Sequence, residues 1–167
     1  MNSILGSQRE HIVIGVADMK LSNQRGDILV THALGSCLGI AIHDPVACVG
    51  GIFHVMLPTS SASPEKAASH PLMFVDTGTP LFFKQAYALG ASKPQLVVKV
   101  AGGSALALGD DFFAIGKRNI LMLRKLLWKN DILIAKEDVG GSISRTLYLE
   151  VGTGKTWLHS SGQEWEL

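Results

Sequence analysis

Three side chains in one short stretch, residues 31–58, are of the types that carry out acyl transfer: Thr31, Cys37 and His54. Cys37 follows a Leu-Gly-Ser turn, Thr31 stands six residues before it and His54 seventeen residues after it. A thiolate is a strong nucleophile. An imidazole can take the thiol proton near neutral pH and return it to a leaving group. A hydroxyl beside the imidazole would orient it, the third role of a triad. The set becomes chemistry only if the fold makes its members neighbours.

The elements around it read as one β-hairpin. Residues 38–43 (LGIAIH) and 48–57 (CVGGIFHVML) are strand-like, and Asp44-Pro45-Val46-Ala47 between them has Asp and Pro where a type I turn favours them. A four-residue loop there sets Cys37 opposite His54, Gly39 opposite Ile52 and His43 opposite Cys48. Directly opposed residues have Cβ atoms about 4.5–5.5 Å apart, within thiol–imidazole reach. A slip of register would re-aim these side chains.

Alternation assigns the two faces. Leu38, Ile40, Ile42, Val49, Phe53 and Val55 form a core face; Cys37, Gly39, Ala41, Gly50, Ile52 and His54 form a face of mostly small residues. Two readings of the second face stand side by side. Small residues beside a Cys/His pair leave room for a substrate, and strand glycines equally signal close approach of a helix or second sheet. A free cysteine is often only a small buried side chain.

At 167 residues the chain reads as a single domain spanning 1–167, long enough to bury a substantial core. A composition of 47% hydrophobic and 17% charged residues with net charge +1 is that of a soluble globular protein. Without a Lys/Arg cluster, this balance argues against nucleic-acid partners held by phosphate neutralisation. No apolar run reaches membrane-spanning length, so direct membrane insertion is not expected. The start, MNSILGSQREHIVIG, lacks the basic-then-apolar order of a secretory signal, and a cytoplasmic location is expected. Cys37 and Cys48 make no disulfide framework. Along the hairpin they lie roughly 20 Å apart, too far to bridge.

Further strands are expected at 12–17, 27–30, 95–101, 132–135, 144–151 and 156–159, the last two joined around Gly152-Thr153-Gly154. Residues 58–71 (PTSSASPEKAASHP) read as a mobile surface loop bordering the site. Thr79-Pro80 reads as the N-cap and first turn of a helix ending near Gly90. Residues 115–129 form the clearest amphipathic helix, with Ile120, Leu123 and Leu127 on one stripe. Strands dominate and nothing repeats, which is an α+β pattern rather than βαβ winding.

Other motifs carry less. Gly152-Thr153-Gly154-Lys155-Thr156 has Leu149 where a phosphate loop needs its first Gly, and strand residues follow it; a hairpin turn is expected. The histidines raise zinc as an alternative, but the pairs His43/Cys48 and Cys37/His54 fall at opposite ends of the hairpin, with no CxxC or HExxH, so no metal or cofactor is assigned. His32 and His43 read as ordinary polar residues at strand edges. Asp110-Asp111 reads as a solvated pair, and Asp138 with Arg145 as an ion pair holding a turn.

With these residues in hand, the chain resembles the CheD family of chemoreceptor glutamine deamidases. The resemblance is carried by LGSCLGIAIHDP (34–45), GGIFHVMLP (50–58), KVAGG (99–103), IGKRN (115–119) and EDVGGSISR (137–145), and spans about residues 12–158. Ala33 stands where the family often has Gly, and residues 58–71 and FVDTGTPLFF fit it loosely. The resemblance implies an α+β sandwich of mainly antiparallel or mixed sheets with helices packed outside, similar to cysteine-dependent deamidating toxins. It places the family's catalytic set on Cys37, His54 and Thr31. It implies protein substrates, the methyl-accepting chemotaxis receptors, and permits docking on a CheC-type phosphatase.

The expected chemistry follows. His54 accepts the Cys37 proton to give a thiolate–imidazolium pair, the thiolate attacks a glutamine side-chain carbonyl, and backbone N–H groups of the Gly35-Ser36-Cys37 turn hold the oxyanion. Ammonia leaves with a proton from His54, and water frees glutamate from the thioester. A glutamyl methyl ester could follow the same route. The alternatives are a chemotaxis binding module that docks on a CheC-type phosphatase with little or no catalysis, and a cysteine hydrolase of small amides.

Overall fold

Both faces of the central hairpin are apolar or small, and both are buried. The computed structural model describes residues 11–105 and 114–167, which leaves Asp110-Asp111 outside the described residues. In chain order the elements are β1 (His11–Val13), β2 (Asp18–Ser22), β3 (Ile28–Leu34), β4 (Leu38–Asp44), β5 (Val49–Val55), α1 (Pro64–Ser69), α2 (Val75–Ala88), β6 (Val97–Gly102), α3 (Ile115–Lys129), β7 (Ile134–Val139), β8 (Arg145–Glu150), β9 (Thr156–Ser160) and β10 (Gln163–Glu166). The strands form two five-stranded sheets, ordered β1-β3-β8-β9-β10 and β2-β5-β4-β6-β7. Pairing is antiparallel except for β1 with β3 and β6 with β7. The expected α+β sandwich of mixed sheets is borne out.

One cluster lies between the second sheet and helices α2 and α3. It joins Leu38, Ile40, Ile42, Val49, Phe53 and Val55, the expected core face, to Phe82, Phe83, Ile120, Leu123 and Leu127. The second fills the space between the sheets with Leu29, Leu34, Ala41, Ile52, Leu147, Leu149 and Leu158. Each fully buried Leu or Phe contributes roughly 1.5–3 kcal/mol. The small-residue face of the hairpin is this inter-sheet face. A Cβ at Gly39 would come within 2.8 Å of Leu147 Cδ2 and Leu34 Cδ1. For the glycines, close sheet packing is the reading that holds.

The hairpin register differs from the sequence expectation. The loop is Pro45 to Cys48, with Cys48 in the left-handed region at φ 54°, and Asp44 still pairs with Val49. Asp44 caps the loop as its type predicts: Oδ1 accepts from Val46 N at 2.8 Å and Ala47 N at 2.9 Å. Moving the loop by one residue shifts the pairing by two, so His54 faces Gly39 rather than Cys37, and His43 faces Gly50 rather than Cys48. A shift of two keeps every side chain on its face. His43 is buried, and its Nε2 lies 2.8 Å from the Val151 carbonyl, which the Cys48 thiol also reaches at 3.5 Å.

Several boundaries move for reasons of packing. The strand expected at 12–17 ends at Val13, and a turn at Val16 and Ala17 (φ 54°) leads into β2. Residues 58–71 are a run of short helical turns and α1 rather than a loop. Helix α2 starts at Val75 and carries Pro80 inside it. A Cβ at Gly78 would meet Phe53 Cζ at 2.4 Å, so this glycine lets the first turns of α2 lie against β5. The α3 boundaries, the β8–β9 hairpin and the free state of both cysteines match expectation.

Candidate active site

A β-bulge brings Thr31 to the interior. The β3–β8 ladder pairs Thr31 with Leu147 but Leu34 with Arg145, with one extra residue on β3 between them. Residues three apart on a regular strand point to opposite faces. The bulge turns both Thr31 and Leu34 inward, at 0% exposure each, and leaves His32 and Ala33 outside. Ala33 carries the turn at φ 58°, a conformation that glycine adopts without strain.

Thr31 Oγ1 lies 2.7 Å from His54 Nδ1 and 2.8 Å from the Ile14 carbonyl. A carbonyl only accepts, so the hydroxyl donates to Ile14 and accepts from the ring. Nδ1 therefore carries the imidazole proton, and Nε2 presents its lone pair. His54 is 1% exposed, and Nε2 has no partner among the described residues. Burial pushes its pKa down to about 4, so the ring is neutral at neutral pH.

Cys37 sits one residue before β4, half-buried, on the same face as Gly39 and hence diagonal to His54 rather than opposite it. Diagonal neighbours on a ladder are about 7–8 Å apart, closer at Cβ, and within reach of a ring-bearing side chain. Burial raises the thiol pKa, and its own backbone N–H acts the other way. These environments favour a neutral thiol and a neutral imidazole in the free protein, not the thiolate–imidazolium pair expected from residue types. Asp18 is the cross-strand neighbour of His54 on the β2 side.

The loop that carries Cys37 is tied down at every carbonyl. Ser104 N donates to Gly35 O at 2.8 Å, Asn119 Nδ2 to Ser36 O at 3.0 Å, and Gly103 N to Cys37 O at 2.9 Å. The second Asn119 amide proton reaches Met56 O at 2.9 Å, two residues past His54. Gly35 N is taken by the Ala33 carbonyl, so it is not a free oxyanion donor; Ser36 N has no partner among the described residues.

A second layer holds the 102–104 turn. Arg145 Nη1 donates to Ser104 Oγ, Nη2 to Gly140 O, and Nε to Asp138 Oδ1 at 2.9 Å. Trp165 Nε1 donates to the other oxygen of Asp138. The expected Asp138–Arg145 contact is present, and it also links the two sheets. Reading residue types alone missed Asn119 and Ser104. The available signal was an asparagine on the buried stripe of α3, beside Ile120 and in line with Leu123.

Among the described residues no cluster of three or more His, Cys, Asp or Glu side chains could hold a metal, and no helix is long and apolar enough to cross a membrane.

The architecture is thus an α+β sandwich with a Thr31–His54 pair buried between its sheets and Cys37 half-buried in the loop before β4. The family description "CheD chemotactic sensory transduction" matches residues 56–160. Similar proteins include "Probable chemoreceptor glutamine deamidase CheD 1" of Syntrophus aciditrophicus, 51% identical over 90% of this chain and 94% of that protein. "Probable chemoreceptor glutamine deamidase CheD" of Solibacter usitatus is 46% identical over 95% of this chain and 94% of that protein. The chain belongs to the CheD family.

Proposed function

We propose that this protein deamidates glutamine side chains of methyl-accepting chemotaxis receptors through a Cys37 thioester. The observation that carries the reading is the unpartnered, unprotonated Nε2 of a buried His54 whose other nitrogen is fixed by Thr31. A lone pair left without a hydrogen bond in a packed interior costs stability, and a catalytic role is one reason for a fold to carry it. The names of the relatives support the substrate class.

As the Cys37 sulfur attacks the glutamine carbonyl carbon, its proton passes to His54 Nε2, and the carbonyl pair becomes an oxyanion facing the Ser36 and Cys37 amides. The C–N bond breaks, the nitrogen takes the proton from His54, and ammonia departs. Water then loses a proton to His54 and attacks the thioester. The sulfur leaves and recovers its proton, so one glutamine and one water become one glutamate and one ammonia. A glutamyl methyl ester follows the same course with methanol as leaving group.

The test incubates the protein with a cytoplasmic receptor fragment and follows ammonia release and the roughly +1 Da change of glutamine to glutamate, the mass difference between NH2 and OH at one acyl carbon. Conversion by wild type and none by Cys37→Ala is expected. No conversion by wild type, with tight binding to a CheC-type phosphatase instead, would overturn the enzymatic reading.

A further inference from the structure

Asn119 is fully buried, and both of its amide protons are used on backbone carbonyls of the site while its Oδ1 has no partner among the described residues. Exchanging the amide's nitrogen and oxygen would set an oxygen against two carbonyls, so the orientation is fixed. One proton holds Ser36 O, the other Met56 O; the side chain spans from the cysteine loop to the residue just after β5, the strand that carries His54.

The grip on Ser36 has a consequence one atom further on. The Ser36 carbonyl and the Cys37 N–H belong to one planar trans peptide unit, in which they point in opposite directions. Drawing the carbonyl inward toward α3 turns the Cys37 N–H away from it. The same lever acts one peptide earlier, where Ser104 N holds Gly35 O and turns the Ser36 N–H. Two successive amides are thus oriented by what holds their carbonyls.

Resting on the reading of Cys37 as nucleophile, we propose that Asn119 is a positioning residue: by holding the Ser36 carbonyl it aims the Cys37 N–H at the oxyanion that forms on the attacked carbonyl. It does not touch substrate. It fixes the direction of a donor before the reaction starts, the condition under which such donors are most effective.

The test uses an aldehyde analogue of the glutamine side chain, N-acetylglutamate γ-semialdehyde amide. The Cys37 sulfur bonds to its carbonyl carbon, the carbonyl pair becomes an oxyanion, and the thiol proton moves to His54. Asn119→Ala and the near-isosteric Asn119→Asp are expected to weaken aldehyde binding by about 10- to 100-fold, less than or equal to the loss of one whole donor. The fall in kcat on the receptor fragment should match, with KM unchanged. Alkylation of Cys37 by iodoacetamide, which builds no oxyanion, should change far less.

With 15N-cysteine labelling only Cys37 and Cys48 report, and in wild type the Cys37 amide proton should move downfield when the aldehyde binds. Unchanged aldehyde affinity in the folded variants overturns the proposal. So does a Cys37 amide unmoved in wild type, alkylation that falls as steeply as aldehyde affinity, or failure of both variants to fold, each of which leaves Asn119 a purely structural role. Aldehyde binding and the amide shift do not need turnover, so a wild type that binds aldehyde but leaves receptor glutamine unconverted refutes the substrate reading alone.

Discussion

A side chain at Gly102 would put its Cβ 2.2 Å from the carbonyl oxygen of Cys37, at a backbone φ of +106°. The absent side chain is what lets the end of β6 pass under the cysteine loop. Gly103 repeats the device: its Cβ would meet Ile120 at 2.6 Å. Gly102→Ala should destabilise the protein by about 2 kcal/mol or more, through the left-handed backbone and the displaced carbonyl. Urea unfolding and the deamidation rate should both report it, and wild-type values for the two would contradict the role given to this glycine.

Thr31→Val keeps the shape of the side chain and removes the hydroxyl. The His54 Nδ1–H and the Ile14 carbonyl then lose a buried partner, at about 1–3 kcal/mol. The imidazole tautomer is no longer fixed, so kcat should fall by about 10- to 100-fold, part of what a general base supplies. Cys37→Ala should be inactive. A Thr31 variant as inactive as Cys37→Ala would mean that Thr31 does more than orient the ring.

The pH dependence of stability should carry the signature of His54. Its pKa is about 4 in the folded protein against an ordinary 6.5. Above 6.5 neither state binds the proton and the contribution is fully present. Between 6.5 and 4 the unfolded chain takes up a proton that the folded state refuses, and stability is lost, on the order of 3 kcal/mol in all. The difference between wild-type and His54→Leu unfolding free energies, measured from pH 8 to 4, isolates this group. A difference that stays flat across that range would contradict the burial argument.

Cys37 should alkylate as a neutral thiol does. Burial raises its pKa, so the iodoacetamide rate in the free protein should climb with pH toward a midpoint above the ordinary thiol value. A plateau already reached below pH 7 would show the thiolate–imidazolium pair instead.

Arg145 is 5% exposed and makes three hydrogen-bonding contacts that a lysine cannot reproduce together. Arg145→Lys should lower stability by about 2–4 kcal/mol, given that Asp138 remains partly exposed. It should also slow the reaction, because the Ser104 hydroxyl loses a donor and the turn whose Ser104 N–H grips the Gly35 carbonyl is held less firmly. Thermal unfolding and kcat measured on the same preparation check both effects, and a fully active, fully stable Arg145→Lys would detach this network from the site.

Side-chain pattern made much of this legible. Alternation alone separates the two faces of β4 and β5, and helical spacing alone bounds α3, because burial dictates both. The hairpin register was not legible: Asp44 can serve as the last rung or the first loop residue, and only the left-handed Cys48 decides between them. The start of α2 was hidden for a related reason. Thr79-Pro80 is a local start signal, but contact of Gly78 with Phe53 on a distant strand extends the helix backwards.

For the site, residue types and the family resemblance named Cys37, His54 and Thr31, while the links among them stayed out of view. The contact of Thr31 with His54 depends on a bulge in β3 that no nearby motif announces. The quoted motifs around Gly102, Asn119 and Arg145 looked independent in the chain. Folded, each holds some part of the cysteine loop or its supporting turn, which explains why they lie far apart in sequence.

His54 occupies a position that an aliphatic side chain would fill with greater stability. Its Nε2 lone pair is unpartnered, its proton affinity is suppressed, and beyond the Thr31 hydroxyl the space between the sheets is filled with hydrocarbon. Random mutation screened for heat resistance alone should therefore discard the imidazole early, whereas screening for turnover should keep it and collect compensating changes elsewhere. A descendant of this chain that carried leucine at residue 54 would be a sturdier protein, and its sequence would record that the reaction had been given up.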